Sequence, residues 1–298
     1  MYLIGFSLIA LIGCYRYSLS PHQYIDDDRP SLTPKIFAEG YISTADGAEF
    51  GSVFSKDYKE FYYAIDLGGR AEIRSCQVNK GKWTMPATII ADTTYSYNDP
   101  MLSPDETTLY YISDMPRDAQ DTIPDYDIWY SQKVAAGWSA PINAGMNINT
   151  DRNEFYISFT ESGTMYFASN RDKEMNRTHD LDIYKAEQVD GIYLSPQKQS
   201  DAINTRGYEG DVFIAPDESY IIFSSARRTG LGRADLYVSF KNEDGQWSDA
   251  VIMGEPISSA NHEICPFVTR DGKYFFYTRN QDIYWVSADL IHNFNLNR

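Results

Sequence analysis

From about residue 45 to residue 288, short apolar runs alternate with polar turn signals, and the 3.6-residue period of a helix is missing. Each unit begins with an apolar run that leads into Ser-Pro-Asp or a related turn. A dense aromatic run follows, such as Leu-Tyr-Tyr-Ile at residues 109–112. An Asp-Ile-Tyr run and a last run starting at Trp after a Gly turn complete the unit. Aromatic and β-branched runs bounded by such turns predict four antiparallel strands per unit.

The unit occurs five times along the chain. Its first turn holds an acid or serine at equivalent positions, namely Asp57, Asp105, Ser162, Asp217 and Asp271. Its Asp-Ile-Tyr run starts at Glu72, Asp127, Asp182, Asp235 and Asp282. Both series repeat at about 50 residues, a spacing typical of propeller blades. The sequence predicts an all-β fold, a single five-bladed β-propeller; the alternative, six blades, needs an unrecognised copy for which little sequence remains.

The two ends of the repeat region predict how the ring closes. The fifth unit lacks the run that begins at Trp, and residues 34–44 resemble residues 141–150, which follow Trp138 in the second unit. We therefore expect a propeller domain over residues 34–298 in which the N-terminal segment supplies the missing strand. Closure of this kind removes free sheet edges.

These motifs carry a family resemblance. The Ser-Pro-Asp, Asp-Ile-Tyr and Gly-x-Trp-Ser series resembles the WD40-like β-propeller repeats of the TolB type, over essentially the whole chain after residue 30. The resemblance implies a non-catalytic interaction module that binds a protein, peptide or glycan at the cell envelope. Propellers host unrelated activities. One alternative is therefore a carbohydrate-active hydrolase or lyase, because five-bladed glycoside hydrolases place carboxylates at the channel mouth; another is a structural scaffold.

The N-terminus predicts export. Residues 1–13 are mostly apolar and uncharged, and they are too few to span a bilayer, as in a secretory signal peptide. Leu-Ile-Gly-Cys at residues 11–14 resembles the lipobox of bacterial lipoproteins, which implies lipidation of Cys14. Residues 14–33 then form a polar tether. The resemblance implies a periplasmic protein or a membrane-anchored lipoprotein, with an extracellular location as the alternative.

Charge narrows the choice of partner. The chain has 42 acidic and 26 basic residues, a formal charge of −16. This excess argues against a nucleic acid or an anionic membrane surface as the partner. Neutral ligands, cations, sugars and proteins remain. Apart from a lipid anchor, we expect no membrane contact.

The repeat also predicts a site. The start of a blade's first strand and the end of its second lie at one face of the ring, called here the top face. One acid per unit is expected there, at Glu49, Asp99, Glu154, Glu209 and Glu263. Three arginines follow the second strand, at Arg171, Arg227 and Arg279. Together they form a predicted ligand-binding ring at the mouth of the central channel.

Two interpretations of this ring are open. In the structural one, each arginine neutralises a buried acid, as burial of charge demands. In the functional one, five acids against three arginines leave Glu49 and Asp99 unpaired, and these two would bind Ca²⁺, which prefers oxygen ligands. No complete catalytic set is present in the sequence. Other candidates are the long top-face connections, with Arg117, Arg177 and His179.

Overall fold

The structure is a computed structural model, and it describes residues 29–174 and 180–295. The lipobox with Cys14, the signal segment, and the loop residues Arg177 and His179 lie outside the described residues. Within them, no helix is long and apolar enough to cross a membrane.

The chain forms five antiparallel sheets arranged as the blades of a propeller, so the predicted fold is confirmed. The strands before and within blade one are β1 Lys35–Ile36, β2 Ala48–Phe54, β3 Glu60–Asp66, β4 Ala71–Asn79, β5 Lys82–Trp83 and β6 Ala87–Ile90. Blade two contains β7 Tyr97–Leu102, β8 Thr108–Ser113, β9 Asp127–Val134, β10 Gly137–Trp138 and β11 Ile142–Asn143. Blade three contains β12 Glu154–Phe159, β13 Met165–Ser169, β14 Asp182–Ala186, β15 Gln188–Val189, β16 Ile192–Tyr193 and β17 Gln197–Lys198.

The last two blades follow the same order. Blade four contains β18 Glu209–Ile214, β19 Tyr220–Ser225, β20 Asp235–Phe240 and β21 Val251–Ile252. Blade five contains β22 Glu263–Val268, β23 Tyr274–Arg279 and β24 Asp282–Ser287, after which the helix α1 runs over Asp289–Asn295. The outer strand of blade five is β1, whose Lys35 and Ile36 pair with Trp285 and Tyr284. The two ends of the propeller are thus joined within one sheet.

The aromatic runs form the core. Residues of the second strands, such as Phe61, Tyr111, Phe167 and Phe223, are at most 1% exposed, because neighbouring blades cover both faces of each sheet. This burial explains the dense apolar runs seen in the sequence. At the bottom face, residues from all five inner strands, including Phe54 and Phe159, leave a cavity of only about 40 Å³. The described residues therefore nearly fill the lower end of the channel.

Candidate functional site

Four of the five predicted acids occupy one level of the propeller. Glu154, Glu209 and Glu263 each begin the inner strand of a blade, and Glu49 is the second residue of β2. All four are 0% exposed. Each main-chain N–H donates to a carbonyl of the preceding blade, for example Glu154 to Tyr126 at 2.7 Å. These four residues, called the glutamate level, therefore lie at the blade junctions and do not face open solvent at the channel mouth.

The glutamate side chains bind the loop that enters their own blade. Thr150 donates its main-chain N–H to Glu154 Oε2 at 3.0 Å and its hydroxyl to Oε1 at 2.9 Å. Thr205 makes the same two bonds to Glu209, both at 2.7 Å. The same pattern recurs from Thr44 to Glu49 and from Ser259 to Glu263. Such repeated bonds satisfy carboxylates that burial would otherwise penalise.

Two of the predicted arginines complete this arrangement. Arg171 Nη2 lies 3.1 Å from Glu154 Oε1 and also donates to the Ile148 carbonyl at 2.5 Å. Arg227 Nε lies 3.8 Å from Glu209 Oε1, and its Nη2 donates to the Ile203 carbonyl at 2.6 Å. The structure therefore places these two arginines in the pairing expected of a structural ring.

The third arginine is arranged differently. Arg279 donates to the carbonyls of Pro256 and Ile257 at 3.4 and 3.5 Å, and it stacks on Tyr284 at 4.3 Å. Its strand pairing also differs, because Arg279 pairs with Glu263 where Ser169 and Ser225 pair with the glutamates of blades three and four. Within the repeat, Arg279 therefore lies two residues before the position that Arg171 and Arg227 occupy.

Glu49 is the glutamate that keeps an unpartnered oxygen. Its Oε1 accepts both bonds from Thr44, whereas its Oε2 is buried without a hydrogen-bond partner among the described residues. Burial raises the pKa of the Glu49 carboxyl above its usual range. The first cause is removal from water, which penalises the charged form of a carboxyl.

Asp99 belongs to a different level from the glutamates. In blade two, Tyr97 pairs with Ser113 as Glu154 pairs with Ser169 in blade three, so Tyr97 occupies the glutamate position. Tyr97 also places its hydroxyl 3.9 Å from Met115 Sδ. An aromatic and a thioether thus replace the Glu–Arg pair. The expectation that Asp99 aligns with the glutamates is therefore wrong by two residues.

Asp99 lies in a β-bulge that all five inner strands share. Each strand shifts register at this point, and the residue there has a positive φ between 43° and 60° in every blade. These five residues, called the bulge level, are Gly51, Asp99, Tyr156, Asp211 and Cys265. A left-handed backbone costs of order 1–3 kcal/mol at residues other than glycine, and such strain clusters at functional sites.

The bulge level brings two acids and a thiol together. Cys265 Sγ lies 3.5 Å from Asp99 Oδ1 and 4.0 Å from Asp211 Oδ1. Tyr208 donates its hydroxyl to Asp211 Oδ2 at 2.8 Å. Asp99 and Asp211 are half-buried, whereas Cys265 is 1% exposed. The two carboxyl groups, contributed by blades two and four, therefore both approach the buried Cys265 thiol.

The electrostatics of this cluster separate the two acids. Removal from bulk water raises the pKa of Asp99 to about 8, and the nearby Asp211 carboxylate adds to the rise. Burial raises the pKa of Asp211 to about 6, against the lowering effect of the Tyr208 hydrogen bond. At neutral pH one carboxyl is mainly protonated and the other mainly ionised. Such a pair can donate and accept a proton.

The predicted metal site is not assembled by Glu49 and Asp99, because the register places them on different levels. Among residues 29–174 and 180–295, no group of three or more His, Cys, Asp or Glu side chains is placed to hold a metal ion. The sequence interpretation also missed Asp211, Tyr208 and Cys265. For Asp211 and Cys265 the signal is that the position two residues after the glutamate changes type from blade to blade, whereas the glutamate repeats. Tyr208 precedes Glu209 and has no such signal.

Known proteins share the fold of this chain. No family model matches it, and no curated protein matches it significantly. A thermostable family-43 glycoside hydrolase is 14% identical, with a TM-score of 0.55 over 82% of this chain and 90% of that one. A structure described as TolB from Agrobacterium tumefaciens is 14% identical, with a TM-score of 0.50 over 78% of this chain and 70% of that one.

TolB from Acinetobacter baumannii is 13% identical, with a TM-score of 0.49, and the match covers 81% of this chain but only 54% of that chain. Identities this low establish the propeller fold alone. The TolB-type resemblance noted in the repeats is therefore supported as a likeness of fold, and the chain's activity has to be argued from its own residues.

Proposed function

We propose that this chain is an exported, non-catalytic β-propeller that binds a protein, peptide or glycan at the cell envelope through its top face. The observation that carries this proposal is that the acids of the glutamate level serve the structure of the propeller. Four buried acids hold loops and blade junctions together, so the glutamate level itself supplies no acid–base pair to a ligand. In this proposal residues 1–13 direct export and Cys14 carries a lipid, so that the propeller is periplasmic or membrane-anchored.

Two cavities on the top face, each with charged and apolar side chains in its lining, support a binding role. The first has a volume of about 470 Å³ and lies between blades five and one, where Arg233, His262 and Gln281 line it. The second, also about 470 Å³, lies between the long connection of blade two and the loop before blade three, where Arg117 and Met146 line it. These volumes fall in the range of small-ligand sites. Polar side chains from loops that do not repeat between blades suit selective recognition.

A third cavity, of about 510 Å³, lies at the bottom face beside α1. Its lining includes residues of the tight turns between first and second strands, such as Asp217 and Gly272. Equivalent turns occur in every blade, and in four of the five they carry a side-chain hydrogen bond between a Ser or Thr and the residue two positions later, for example from Thr269 to Asp271. We therefore assign the binding role to the top face.

The proposal is tested by screening the full chain against peptide and glycan arrays and then assaying every bound ligand for turnover. Arg233→Glu and Met146→Glu change the two exposed cavity rims, and at least one of them should weaken binding about 10-fold or more. Val189→Glu, on the exposed outer edge of blade three, is the matched control and should bind normally. Binding that survives both cavity variants, or turnover of the bound ligand, would contradict the proposal.

A second function, a carbohydrate-active hydrolase or lyase, is favoured by the Asp99–Asp211 pair. Glycoside hydrolysis uses one protonated and one ionised carboxyl, which is the state that the two pKa values give near neutral pH. In this alternative Asp99 donates the proton and Asp211 acts as the base. Release of a sugar from aryl glycosides or oligosaccharides that Asp99→Asn abolishes would establish the alternative and exclude the non-catalytic proposal.

A further inference from the structure

The top-face connections between second and third strands are short in blades five and one. Only residues 280–281 join β23 to β24 in blade five, and residues 67–70 join β3 to β4 in blade one. The corresponding connections of blades two, three and four are residues 114–126, 170–181 and 226–234. Blades five and one therefore carry little chain above their junction, and the cavity of about 470 Å³ between them lies under this low part of the rim.

The exposed charge in this cavity is that of Arg233. The residue is exposed, and among the described residues its guanidinium has no ion pair and no hydrogen bond; only its main-chain N–H is used, toward the Asn261 carbonyl at 2.8 Å. By contrast, Arg117 on the connection of blade two contacts three aspartates. The other charged residue in the lining, Glu49, is 0% exposed and bound by Thr44. The cavity therefore offers a free guanidinium to an anionic group.

Neutral hydrogen-bonding groups line the cavity beside this guanidinium. Asn280 and Gln281 are exposed, and their side-chain amides have no partner among the described residues. Their φ values of 53° and 71° fit a two-residue hairpin turn, in which glycine is preferred at the second position. Gln281 therefore keeps its amide at a position where glycine would be less strained. Burial, and then the Arg233 charge, lower the pKa of His262, so its imidazole is neutral at pH 7 and both donates and accepts.

A small apolar floor completes the lining. Phe50 and Ile264 lie on the inner strands β2 and β22 and are half-buried, whereas most other residues of these strands are buried. A sugar ring can pack its C–H face on such a surface while its hydroxyls meet amides at the rim. A guanidinium recognises a carboxylate through two parallel hydrogen bonds. The combination suits a sugar that carries a carboxylate, and the small apolar area favours it over a peptide side chain.

We propose that the cavity between blades five and one binds a hexuronate, the acidic sugar residue of a glycan. Arg233 pairs with the carboxylate, Asn280 and Gln281 bind ring hydroxyls, and Phe50 packs against the ring. The inference rests on the proposed function, of which it names the ligand class. The chain as a whole is acidic, with a charge of −16, so attraction of an acidic glycan depends on this local cation and should weaken as salt screens it.

The test measures binding of the full chain to oligosaccharides of glucuronate and galacturonate by isothermal titration calorimetry. Each is compared with its neutral counterpart, an oligosaccharide of glucose or galactose of the same length and linkage. At least one acidic oligosaccharide should bind, about 10-fold or more tightly than its neutral counterpart, as expected for a hydrogen-bonded charge pair. This advantage should shrink as the salt concentration rises.

Two variants separate the charge from the hydroxyl contacts. Arg233→Gln should weaken binding of the acidic oligosaccharide about 10-fold or more and leave the neutral one unchanged, whereas Gln281→Ala should weaken both. Arg228→Gln is the matched control and should bind normally. Arg228 lies on the same connection as Arg233, is exposed, stands outside the cavity lining, and has no ion pair or hydrogen bond among the described residues. An unchanged Tm in each variant excludes misfolding.

Several results would overturn the inference. They are a full chain that binds no acidic oligosaccharide, equal affinity for acidic and neutral partners, and an Arg233→Gln variant that binds the acidic sugar as well as Arg228→Gln does. A short peptide that displaces the acidic sugar with equal affinity through its carboxyl terminus would also overturn it. Peptide or neutral-glycan ligands from the array screen would then leave the proposed function standing. Turnover of a bound hexuronate would instead contradict the non-catalytic function and support the site.

Discussion

Two neighbouring levels of the inner strands differ in how much their side chains vary from blade to blade. At the glutamate level four blades carry the same residue, each buried and bound to the same loop position. At the bulge level, two residues further along, all five blades share one left-handed backbone conformation, but the five side chains are of four different types. The first level repeats its side chain, and the second repeats only its backbone.

This difference shows where function can develop in a repeated fold. Each residue of the glutamate level bonds its blade to the preceding one. Because every blade junction imposes the same constraint, the repetition of glutamate at this position indicates a structural role. A position whose backbone is fixed by the bulge, but whose side chain faces the channel, can change without disturbing the junctions. Asp99, Asp211 and Cys265 occupy such positions. Substitutions at the two levels should therefore separate stability from chemistry.

The largest effect is expected from the glutamate level. Glu154→Ala leaves Arg171 half-buried without its carboxylate and removes three hydrogen bonds from Thr150 and Ser169. Breaking a buried ion pair on one side costs about 3–5 kcal/mol. Urea unfolding of the full chain measures the loss. A loss below about 1 kcal/mol would place this glutamate with exposed, inessential acids.

The next effect tests the backbone of the bulge level. A Cβ at Gly51 would lie 2.8 Å from Asp99 Cα, and its φ of +60° disfavours any other residue. Gly51→Ala should therefore lower the free energy of unfolding by about 1–3 kcal/mol. Gly40→Ala is the control, since Gly40 has a similar φ of +74° but a Cβ there would meet no atom within 4 Å. Equal losses in both variants would show that backbone strain alone is responsible.

Asp99→Asn should stabilise the chain, in contrast to the two variants above, because the raised pKa of Asp99 lowers the free energy of unfolding at neutral pH. Between the unfolded value of 3.8 and the folded value of about 8, the folded chain retains a proton that the unfolded chain releases. Stability therefore falls as the pH rises through this window. Asp99→Asn should therefore raise the free energy of unfolding at pH 8.5 and leave it unchanged near pH 3. A uniform change at both pH values would contradict the assignment.

The smallest effect is expected at Arg279. Its hydrogen bonds of 3.4 and 3.5 Å are longer than the 2.5 Å bond of Arg171, and its stacking on Tyr284 remains partly exposed. Arg279→Ala should cost about 1 kcal/mol, less than Arg171→Ala in the same unfolding assay. A larger loss at Arg279 than at Arg171 would show that Glu263 depends on this arginine after all.

The fold was predictable because the repeat carries it. The turn series, the aromatic strands and the Asp-Ile-Tyr series each occur in every blade, so a misjudged copy is corrected by the others. The ring was predictable where the glutamate repeats. The prediction of the ring failed in blade two. There Tyr97 and Met115 replace the Glu–Arg pair, and Asp99 is the acid that lies nearest to the position expected from the repeat spacing.

The assembly of the bulge-level cluster could not be predicted, for a physical reason. Asp99, Asp211 and Cys265 come from three blades, and each lies in a β-bulge, where the regular alternation of side chains along a strand breaks down. Hydrophobic pattern therefore gives no signal for which level a residue occupies. Only the strand pairing, with its register shift in each inner strand, brings these residues together.

The separation of the two levels is tested most directly by one paired comparison of ligand binding and unfolding, in Glu209→Gln and in the double variant Asp99→Asn/Asp211→Asn. Glu209→Gln should lower the free energy of unfolding and leave the affinity for array-identified ligands unchanged. The double variant should keep or gain stability and change only the chemistry of the channel. A Glu209→Gln variant that keeps full stability but loses its ligand would contradict the assignment of the glutamate level to structure.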